Sequence, residues 1–347
     1  MNIKDMFEAA GWPRIIIGLF LLSLFIAAEF VDVKLDTSIS DTIVRFGRNG
    51  VMVLAMVPMI RSGCGLNFGL PLGIIGGILG ILISIEMELT GMSGFMTAIV
   101  LGVGFAAVLG WGYGILLNMV KGDEMMIATY VGFSSVAFMC MAWLLLPFKS
   151  KAMIWSFGGS GLRTTISMDN YWGNILSDFW SFNFSKNGYV PAGMLLFFGF
   201  MCFLVWLFFR TRTGQAMSAV GQNPEFARAS GVSVDRMRVL SVMLSTVLGA
   251  VGIIVYAQSY GFVQLYLAPL YMAFPAVAAI LLGGASVNRA SIVNVLVGAF
   301  LFQGILTMTP SVINSAMKGI DISEVLRLIV SNGMIIYALT RRTKEVR

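Results

Sequence analysis

The sequence contains no histidine and little charge of either sign. Of its 347 residues, 12% are charged and 58% are hydrophobic, whereas an average soluble domain is about 25% charged and about 45–50% apolar. A water-soluble fold of this composition would expose much of its apolar surface. The composition therefore excludes an ordinary soluble enzyme and a disordered chain. The lack of histidine excludes histidine proton relays, histidine-ligated metals and Ser-His-Asp triads.

Two further kinds of site are missing from the sequence. The three cysteines, Cys64, Cys140 and Cys202, are too scattered for a disulfide framework or a metal site. No phosphate-binding G-x-x-x-x-G-K-[ST] loop occurs, so any ATP that drives this protein must be bound by another subunit. We therefore expect neither a metal nor a cofactor on this chain. The net charge of +6 is attributed to membrane orientation rather than to binding of nucleic acid.

Long apolar segments recur along the chain and predict an all-α, polytopic helical membrane protein. About ten transmembrane helices are expected, at 14–30, 49–62, 66–85, 95–120, 125–147, 190–209, 239–257, 268–284, 291–308 and 325–340. A bilayer-crossing helix needs roughly 17–25 residues, so the second, eighth and tenth segments are short, which is typical of broken or tilted helices. Both termini are placed in the cytoplasm, because basic residues then gather at the inner ends of spans. Arg45 and Arg48 fall outside in this arrangement, against that rule.

Two connecting segments carry their own patterns. The segment 148–189, rich in Ser, Asn, Trp and Gly, is expected to form an extracytoplasmic loop with a short interfacial helix near Trp172 to Trp180. The segment 210–238 is expected in the cytoplasm. Asn223-Pro224-Glu225 indicates a helix start and Gly231 a helix stop, which predicts a short helix at about 224–230. That helix is either a structured connector or a docking helix for a cytoplasmic partner.

The predicted spans are almost free of charged side chains. Glu86, Glu88, Asp123 and Glu124 fall at their edges, and Glu324 and Arg327 lie at the start of the last one. A proton-coupled carrier normally uses a buried carboxylate or histidine, so the sequence disfavours proton-driven transport. The 39 glycines cluster within spans, where they mostly indicate close helix packing.

A few neutral polar and aromatic residues within the spans are candidates for a solute pathway. Asn67 and Phe68 lie together in a Gly-rich stretch, and Phe274 precedes Pro275. An amide beside an aromatic face suits hydroxyls, amides or a nucleobase ring. The candidate pathway residues are Asn67, Phe68, Asn118, Phe274, Asn294 and Gln303. The alternative is that their polar groups only bond neighbouring helices.

One region of the sequence resembles a known family. Residues 214–258, GQAMSAVGQNPEFARASGVSVDRMRVLSVMLSTVLGAVGIIVYAQ, are similar to the permease subunits of bacterial ABC importers. The branch that they most resemble handles ribose, simple sugars and nucleosides, and branched-chain amino acid permeases are more distant. Residues 281–305 resemble the next stretch of that family. GLNFGLP at 65–71 resembles the Asn-x-Gly stretch of the nucleoside and simple-sugar permeases, with Pro71 where those carry an acidic residue.

The resemblance implies a single transmembrane permease domain over 1–347, built from two inverted pseudo-repeats in the bacterial inner membrane. It implies a cytoplasmic ABC ATPase that binds ATP-Mg, an extracytoplasmic solute-binding protein, and a second permease subunit that is either a copy or a paralogue. A coupling helix at about 223–231 would dock on the ATPase and drive alternating access. The implied ATPase-coupling residues are Gly221, Asn223, Pro224, Glu225, Ala227, Arg228 and Gly231.

The predicted function is therefore the permease subunit of an ATP-driven importer for a simple sugar or a nucleoside, without enzymatic activity of its own. A branched-chain amino acid is the alternative solute. An ion-coupled secondary transporter or a channel is the alternative function, and it would work without an ATPase. A membrane-embedded enzyme would need clustered carboxylates or histidines within the spans, and the sequence offers none.

Overall fold

The computed structural model describes residues 12–31, 33–155, 161–186, 188–316, 325, 328–330 and 332–333. Apolar helices dominate this part of the chain. In chain order they are α1 (Trp12–Phe30), α2 (Leu35–Leu54), α3 (Met56–Arg61), α4 (Leu70–Glu86), α5 (Gly91–Met119), α6 (Glu124–Leu145), α7 (Ile175–Phe179), α8 (Ala192–Arg210), α9 (Arg212–Gln222), α10 (Pro224–Ala229), α11 (Val234–Tyr260), α12 (Ala268–Leu282) and α13 (Ile292–Ala316).

Within the described residues, four short strands interrupt the helical pattern. They are β1 (Thr165–Ser167), β2 (Phe182–Asn183), β3 (Tyr189–Val190) and β4 (Phe262–Gln264). β1 pairs antiparallel with β4, and β2 pairs antiparallel with β3. β1, β2 and the first residue of β3 lie in the predicted loop 148–189, where α7 occupies part of the expected helix near Trp172 to Trp180. The all-α prediction omitted these strands because none exceeds three residues.

Six helical segments of the described chain are long and apolar enough to cross a membrane. They are Leu35–Arg61, Gly91–Met119, Glu124–Leu145, Ala192–Arg210, Val234–Tyr260 and Ile292–Ala316. Two further apolar helices, α4 and α12, have 17 and 15 residues, and α1 has 19. Each of the first nine predicted spans overlaps one of these helices. The tenth, at 325–340, lies mostly outside the described residues.

The second predicted span has the wrong boundaries. It was placed at 49–62, but α2 and α3 form one helical segment of 27 residues that begins at Leu35. The segment is interrupted at Ala55, because Pro58 has no N–H to donate to the carbonyl of Leu54. The two arginines of α2 made its first half resemble an outer loop. Arg48, however, is only 9% exposed.

Glycine determines the close packing of α4, α5 and α11 at the centre of the bundle. A Cβ atom on Gly73 would lie 2.3 Å from the carbonyl oxygen of Thr246 in α11, and one on Gly80 would lie 2.4 Å from that of Ala98 in α5. No larger residue fits where helix backbones approach this closely. The packing role predicted for the glycines is confirmed at these positions.

The bundle has two ends, which we name after the residues found there. The Gly221 end holds the ends of α3, α5 and α9 and the starts of α6 and α11. The Tyr260 end holds the ends of α4 and α11 and the starts of α5 and α8. At the Tyr260 end, backbone hydrogen bonds join the loop 148–189 to the helices, as where the N–H of Gly91 donates to the carbonyl of Tyr171.

Candidate functional site

At the Gly221 end, α10 is a short helix between α9 and α11. Asn223 caps it: its side-chain Oδ1 accepts a hydrogen bond from the N–H of Phe226 at 3.0 Å, and Pro224 occupies the first helical position. Gly231 follows the helix with φ of +82°, a conformation that favours glycine. The helix expected at about 224–230 is therefore present, and it spans Pro224–Ala229.

Most of the surface of α10 is exposed. Ala227 is buried against Val220 and Val234, whereas Pro224, Glu225 and Arg228 are exposed. Phe226, which was not among the predicted site residues, is 68% exposed. A large aromatic ring on a short polar helix is a typical anchor for a protein partner. The signal for it in the sequence is a single aromatic residue in the polar segment between Arg210 and Arg238.

Gly221 links this segment to the membrane helices. It lies in the last turn of α9, and a Cβ atom there would be 2.1 Å from the carbonyl oxygen of Arg61 and 2.9 Å from the nitrogen of Gly63. The two backbones therefore touch without an intervening side chain. Five residues separate Arg61 from Asn67 in the sequence, so the contact with α9 lies close to the turn that carries Asn67 and Phe68.

Polar contacts also tie the start of α11 to α5 and α6. Lys121 forms an ion pair with Asp235 at 2.7 Å, and Arg238 forms one with Glu124. The side-chain amide of Asn118 donates to the carbonyl of Asp235 at 2.8 Å. The Lys121 pair is exposed and contributes little to stability. The Arg238 pair is largely shielded, so it fixes α11 against α6 more firmly.

Asn67 is fully buried in a polar network between helices. Its side-chain Nδ2 donates to Ser245 Oγ at 2.7 Å, and its Oδ1 accepts from the hydroxyl of Tyr113 at 3.3 Å. Ser245 in turn donates to the carbonyl of Ala55 at 2.6 Å, which lies at the break between α2 and α3. The network therefore joins the interrupted segment, the turn at Asn67 and α11.

Three phenylalanines form an aromatic cluster beside this network. The ring centroids of Phe68 and Phe274 are 6.1 Å apart, and those of Phe133 and Phe274 are 6.4 Å apart. Two predicted pathway residues from distant parts of the sequence thus meet. Phe133 completes the cluster, and nothing in the sequence singles it out among 26 phenylalanines.

The remaining predicted pathway residues lie elsewhere. Asn118 is at the Gly221 end, in the last turn of α5. Asn294 lies in the first turn of α13, where its Oδ1 accepts from the N–H of Ser291 and its Nδ2 donates to the carbonyl of Gly283 at 2.8 Å. Gln303 is buried within α13. The structure does not bring these three residues to the aromatic cluster.

Arg48 is a charged residue inside a candidate span, where the sequence predicted almost none. Its guanidinium lies over the rings of Tyr256 and Tyr260, 5.0 and 4.9 Å from the ring centroids. Two aromatic faces stabilise a cation that burial would otherwise destabilise. The sequence signal for a buried arginine is a single arginine within an apolar pattern. Here Arg45 lies three residues before Arg48, and the two charges together made this segment resemble a loop.

Replacing Asn67 with alanine is expected to lower the stability of the chain by about 1–3 kcal/mol, because the buried Tyr113 hydroxyl would lose its acceptor and Ser245 Oγ would lose the donor from Asn67. Thermal unfolding of the purified chain in detergent would show a lower midpoint. The exposed Asn288 provides the control, since Asn288→Ala removes an amide without burying an unpaired group. An unchanged midpoint for Asn67→Ala would show that the network contributes nothing to packing.

A bundle of apolar helices, six of them long and apolar enough to cross a membrane in the part of the chain that the structure describes, defines a polytopic membrane protein. The chain belongs to the family described as branched-chain amino acid transport system / permease component, whose model matches residues 38–339. It is thus a transport subunit and a multi-pass protein of the bacterial inner membrane. The resemblance of residues 214–258 and 281–305 to ABC importer permeases is confirmed.

Similar proteins carry more specific names. The chain is 32% identical over 169 residues to the autoinducer 2 import system permease protein LsrC of Enterobacter sp. (strain 638). The aligned residues make up 46% of this chain and 47% of the relative. The chain is 27% identical over 141 residues to the nucleoside ABC transporter permease protein NupB of Lactococcus lactis subsp. cremoris, covering 40% and 37%. The matches thus span about half or less of each relative. No solved structure matches the chain.

Proposed function

We propose that this chain is the membrane gate of an ATP-driven importer and that α10 is the helix through which a cytoplasmic ABC ATPase moves it. The observation that carries this proposal is the capped, exposed helix α10 at Pro224–Ala229 with Phe226 on its surface. The coupling residues Gly221, Asn223, Pro224, Glu225, Ala227, Arg228 and Gly231 divide into two groups. Those exposed on or next to α10 meet the ATPase, and Gly221 and Ala227 pack against the permease itself.

The contacts support a path from α10 to the solute route. A displacement of α10 moves α9, and Gly221 pushes on the backbone of Arg61 and Gly63. This turn leads to Asn67, whose network holds α11 and the break at Ala55. Phe68 lies in the same turn and contacts Phe274 of α12. Closure of the ATPase on ATP would thereby change the distance between the rings of the aromatic cluster. The solute route would then open to one side of the membrane and close to the other, as in alternating access.

The finer topology is part of the proposal. It places the Gly221 end in the cytoplasm together with both termini, and the loop 148–189 outside. The full set is ten spans in two inverted repeats, spans two to five and seven to ten. ATP-Mg binds to the partner ATPase, and an extracytoplasmic solute-binding protein delivers the solute at the Tyr260 end.

A second permease subunit, identical or paralogous, completes the pathway. Of the six candidate spans, α6 is the least buried within the chain. Its outer surface carries Met126, Tyr130, Phe138 and Met141. Lipid or the second permease covers this apolar surface.

The solute that we propose is a simple sugar or a nucleoside. LsrC and NupB are named for the import of autoinducer 2 and nucleosides, while the family description names branched-chain amino acids. An aromatic cluster beside neutral polar groups suits a sugar or nucleobase ring. The test is uptake of labelled ribose, adenosine and leucine by the complex of this chain with its co-purified ATPase and binding protein. Uptake of leucine alone would contradict the proposed solute class.

Removing the cap of α10 is expected to weaken its engagement with the ATPase. Asn223→Ala loses the hydrogen bond to the N–H of Phe226, which destabilises a helix by about 1 kcal/mol. Co-purification of the ATPase should fall about fivefold. Asn223→Asp, which keeps the capping oxygen, should restore it. Equal binding by Asn223→Ala and the unmodified chain would show that the cap does not matter for docking.

A further inference from the structure

A polar cavity lies at the Tyr260 end, away from the aromatic cluster and from α10. Its volume is about 590 Å³, within the range of roughly 300–1,000 Å³ typical of small-molecule sites. One wall is the segment from Arg163 to Asn174, and the other is the end of α11 with the start of β4. None of the predicted pathway residues lines it.

The backbone holds this cavity in a defined shape. β1 pairs with β4, with Thr165 opposite Gln264. The N–H of Met168 donates to the carbonyl of Gly261 at 2.8 Å, and the N–H of Asn174 donates to that of Gln258 at 2.6 Å. These bonds fasten the loop to α11 on both sides of the cavity. The cavity is therefore part of the fold and not a gap in a loose loop.

The chemistry of the lining favours a neutral solute with several hydroxyl groups. Hydrogen-bonding side chains dominate it: Thr165, Ser167, Asp169, Asn170, Asn174 and Ser259. Arg163 is the basic member, and it is already bonded to the carbonyls of Ile154 and Lys151. One acid and one engaged base give no surplus charge for an anion such as a phosphate ester. Tyr260 and Phe262 add an aromatic wall, their ring centroids 4.4 Å apart.

Some of the buried side-chain polar atoms that make no hydrogen bond lie near this end of the bundle, while others, such as Asn118 Oδ1 and Arg238 Nε, lie at the Gly221 end. Within the described residues, Ser259 Oγ, Gln258 Nε2, Trp172 Nε1 and Arg48 Nε are buried and make no hydrogen bond. Gln258 and Trp172 adjoin lining residues in sequence, and Arg48 lies over Tyr260. Of these residues, Ser259 lines the cavity itself, which agrees with the hydrogen-bonding character of the lining.

We propose that this cavity is an outer solute site, which takes a neutral polyhydroxylated molecule of sugar size before it enters the membrane pathway. The proposal rests on the proposed function for its orientation, which places the Tyr260 end outside the cell. Asp169 and Asn170 bind hydroxyl groups, and Tyr260 packs against the apolar face of the ring. The aromatic cluster at Phe68 is then a separate solute site further along the membrane pathway.

Direct binding tests the proposal on the full chain in lipid nanodiscs. The probes are D-ribose, adenosine and leucine, and their binding is measured by calorimetry. Saturable binding of ribose or adenosine is expected, and Thr165→Trp, which fills the cavity, should weaken it at least about tenfold. Asp169→Ala should weaken it several-fold. Asn183→Trp is the matched control, because Asn183 is exposed at the same end in β2 but does not line the cavity.

Two results would overturn the outer site: absence of ribose and adenosine binding, or equal binding by Thr165→Trp and Asn183→Trp. Preference for leucine over both would overturn the solute class. ATP-driven uptake of the same solutes, measured on the assembled complex, separates this test from that of the proposed function. Uptake without cavity binding removes only the outer site, whereas cavity binding without any ATP-driven uptake removes the importer function.

Discussion

Gly221→Ala should abolish most ATP-driven uptake while leaving the ATPase bound. The added methyl carbon would lie 2.1 Å from the carbonyl oxygen of Arg61 and 2.9 Å from the nitrogen of Gly63. Both atoms belong to the backbone, so no side chain can rotate away, and α9 must move off the end of α3. Overpacking of this kind costs about 1–3 kcal/mol. If that energy is taken from the coupling between α10 and the gate, uptake falls about 5- to 150-fold.

The measurement is uptake by the reconstituted complex, together with the amount of ATPase that co-purifies. Gly112→Ala is the matched control, because a Cβ atom on Gly112 meets nothing within 4 Å. The expected pattern is normal ATPase binding and low uptake for Gly221→Ala, and normal values of both for Gly112→Ala. Uptake above half of the unmodified level in Gly221→Ala would show that this contact does not transmit the movement.

Phe226→Ala should have the opposite pattern, with loss of the ATPase itself. The ring is 68% exposed on α10. Burial of such a side chain in a partner groove contributes about 1.5–3 kcal/mol. The affinity of the ATPase should therefore fall about 10- to 100-fold. Insertion of the permease in the membrane should not change, because Phe226 lies outside the candidate spans.

Titration of the purified ATPase against the permease in nanodiscs measures this effect. Phe226→Leu should retain most of the affinity, since it keeps an apolar side chain of similar length. Phe182→Ala should leave the affinity for the ATPase unchanged. Phe182 is also an exposed phenylalanine, at 54%, but it lies in β2 at the Tyr260 end. If Phe226→Ala bound the ATPase as tightly as Phe182→Ala, α10 would not be the docking helix.

Sequence reasoning succeeded where the signal was local. Asn223-Pro224 and Gly231 bracket α10, because capping and left-handed backbone geometry depend on a few neighbouring residues. The glycines of α4 also have the packing role that their spacing indicated. The helical character of the first nine predicted spans followed from their apolar composition.

Sequence reasoning failed where the environment of a residue depends on distant parts of the chain. Arg48 was placed in an outer loop because charged side chains usually face water, yet the rings of Tyr256 and Tyr260 of α11 lie against its guanidinium. Phe133 joined the aromatic cluster through tertiary packing alone. The hydrogen bonds of Asn294 to Ser291 and Gly283 at the start of α13 could not be foreseen from the sequence, and its pathway role stays a prediction. The outer cavity depends on the pairing of β1 with β4 across about 100 residues, so no local pattern could reveal it.

The central claim is that this chain moves its solute only when a separate ATPase acts on α10. Its most direct test compares two sets of proteoliposomes, one with the purified chain alone and one with the complete complex, binding protein and ATP. We expect uptake of labelled ribose or adenosine only in the second set, and loss of that uptake with a non-hydrolysable ATP analogue. Uptake by the chain alone, driven by an ion gradient or by none, would contradict the account and establish a secondary transporter or a channel.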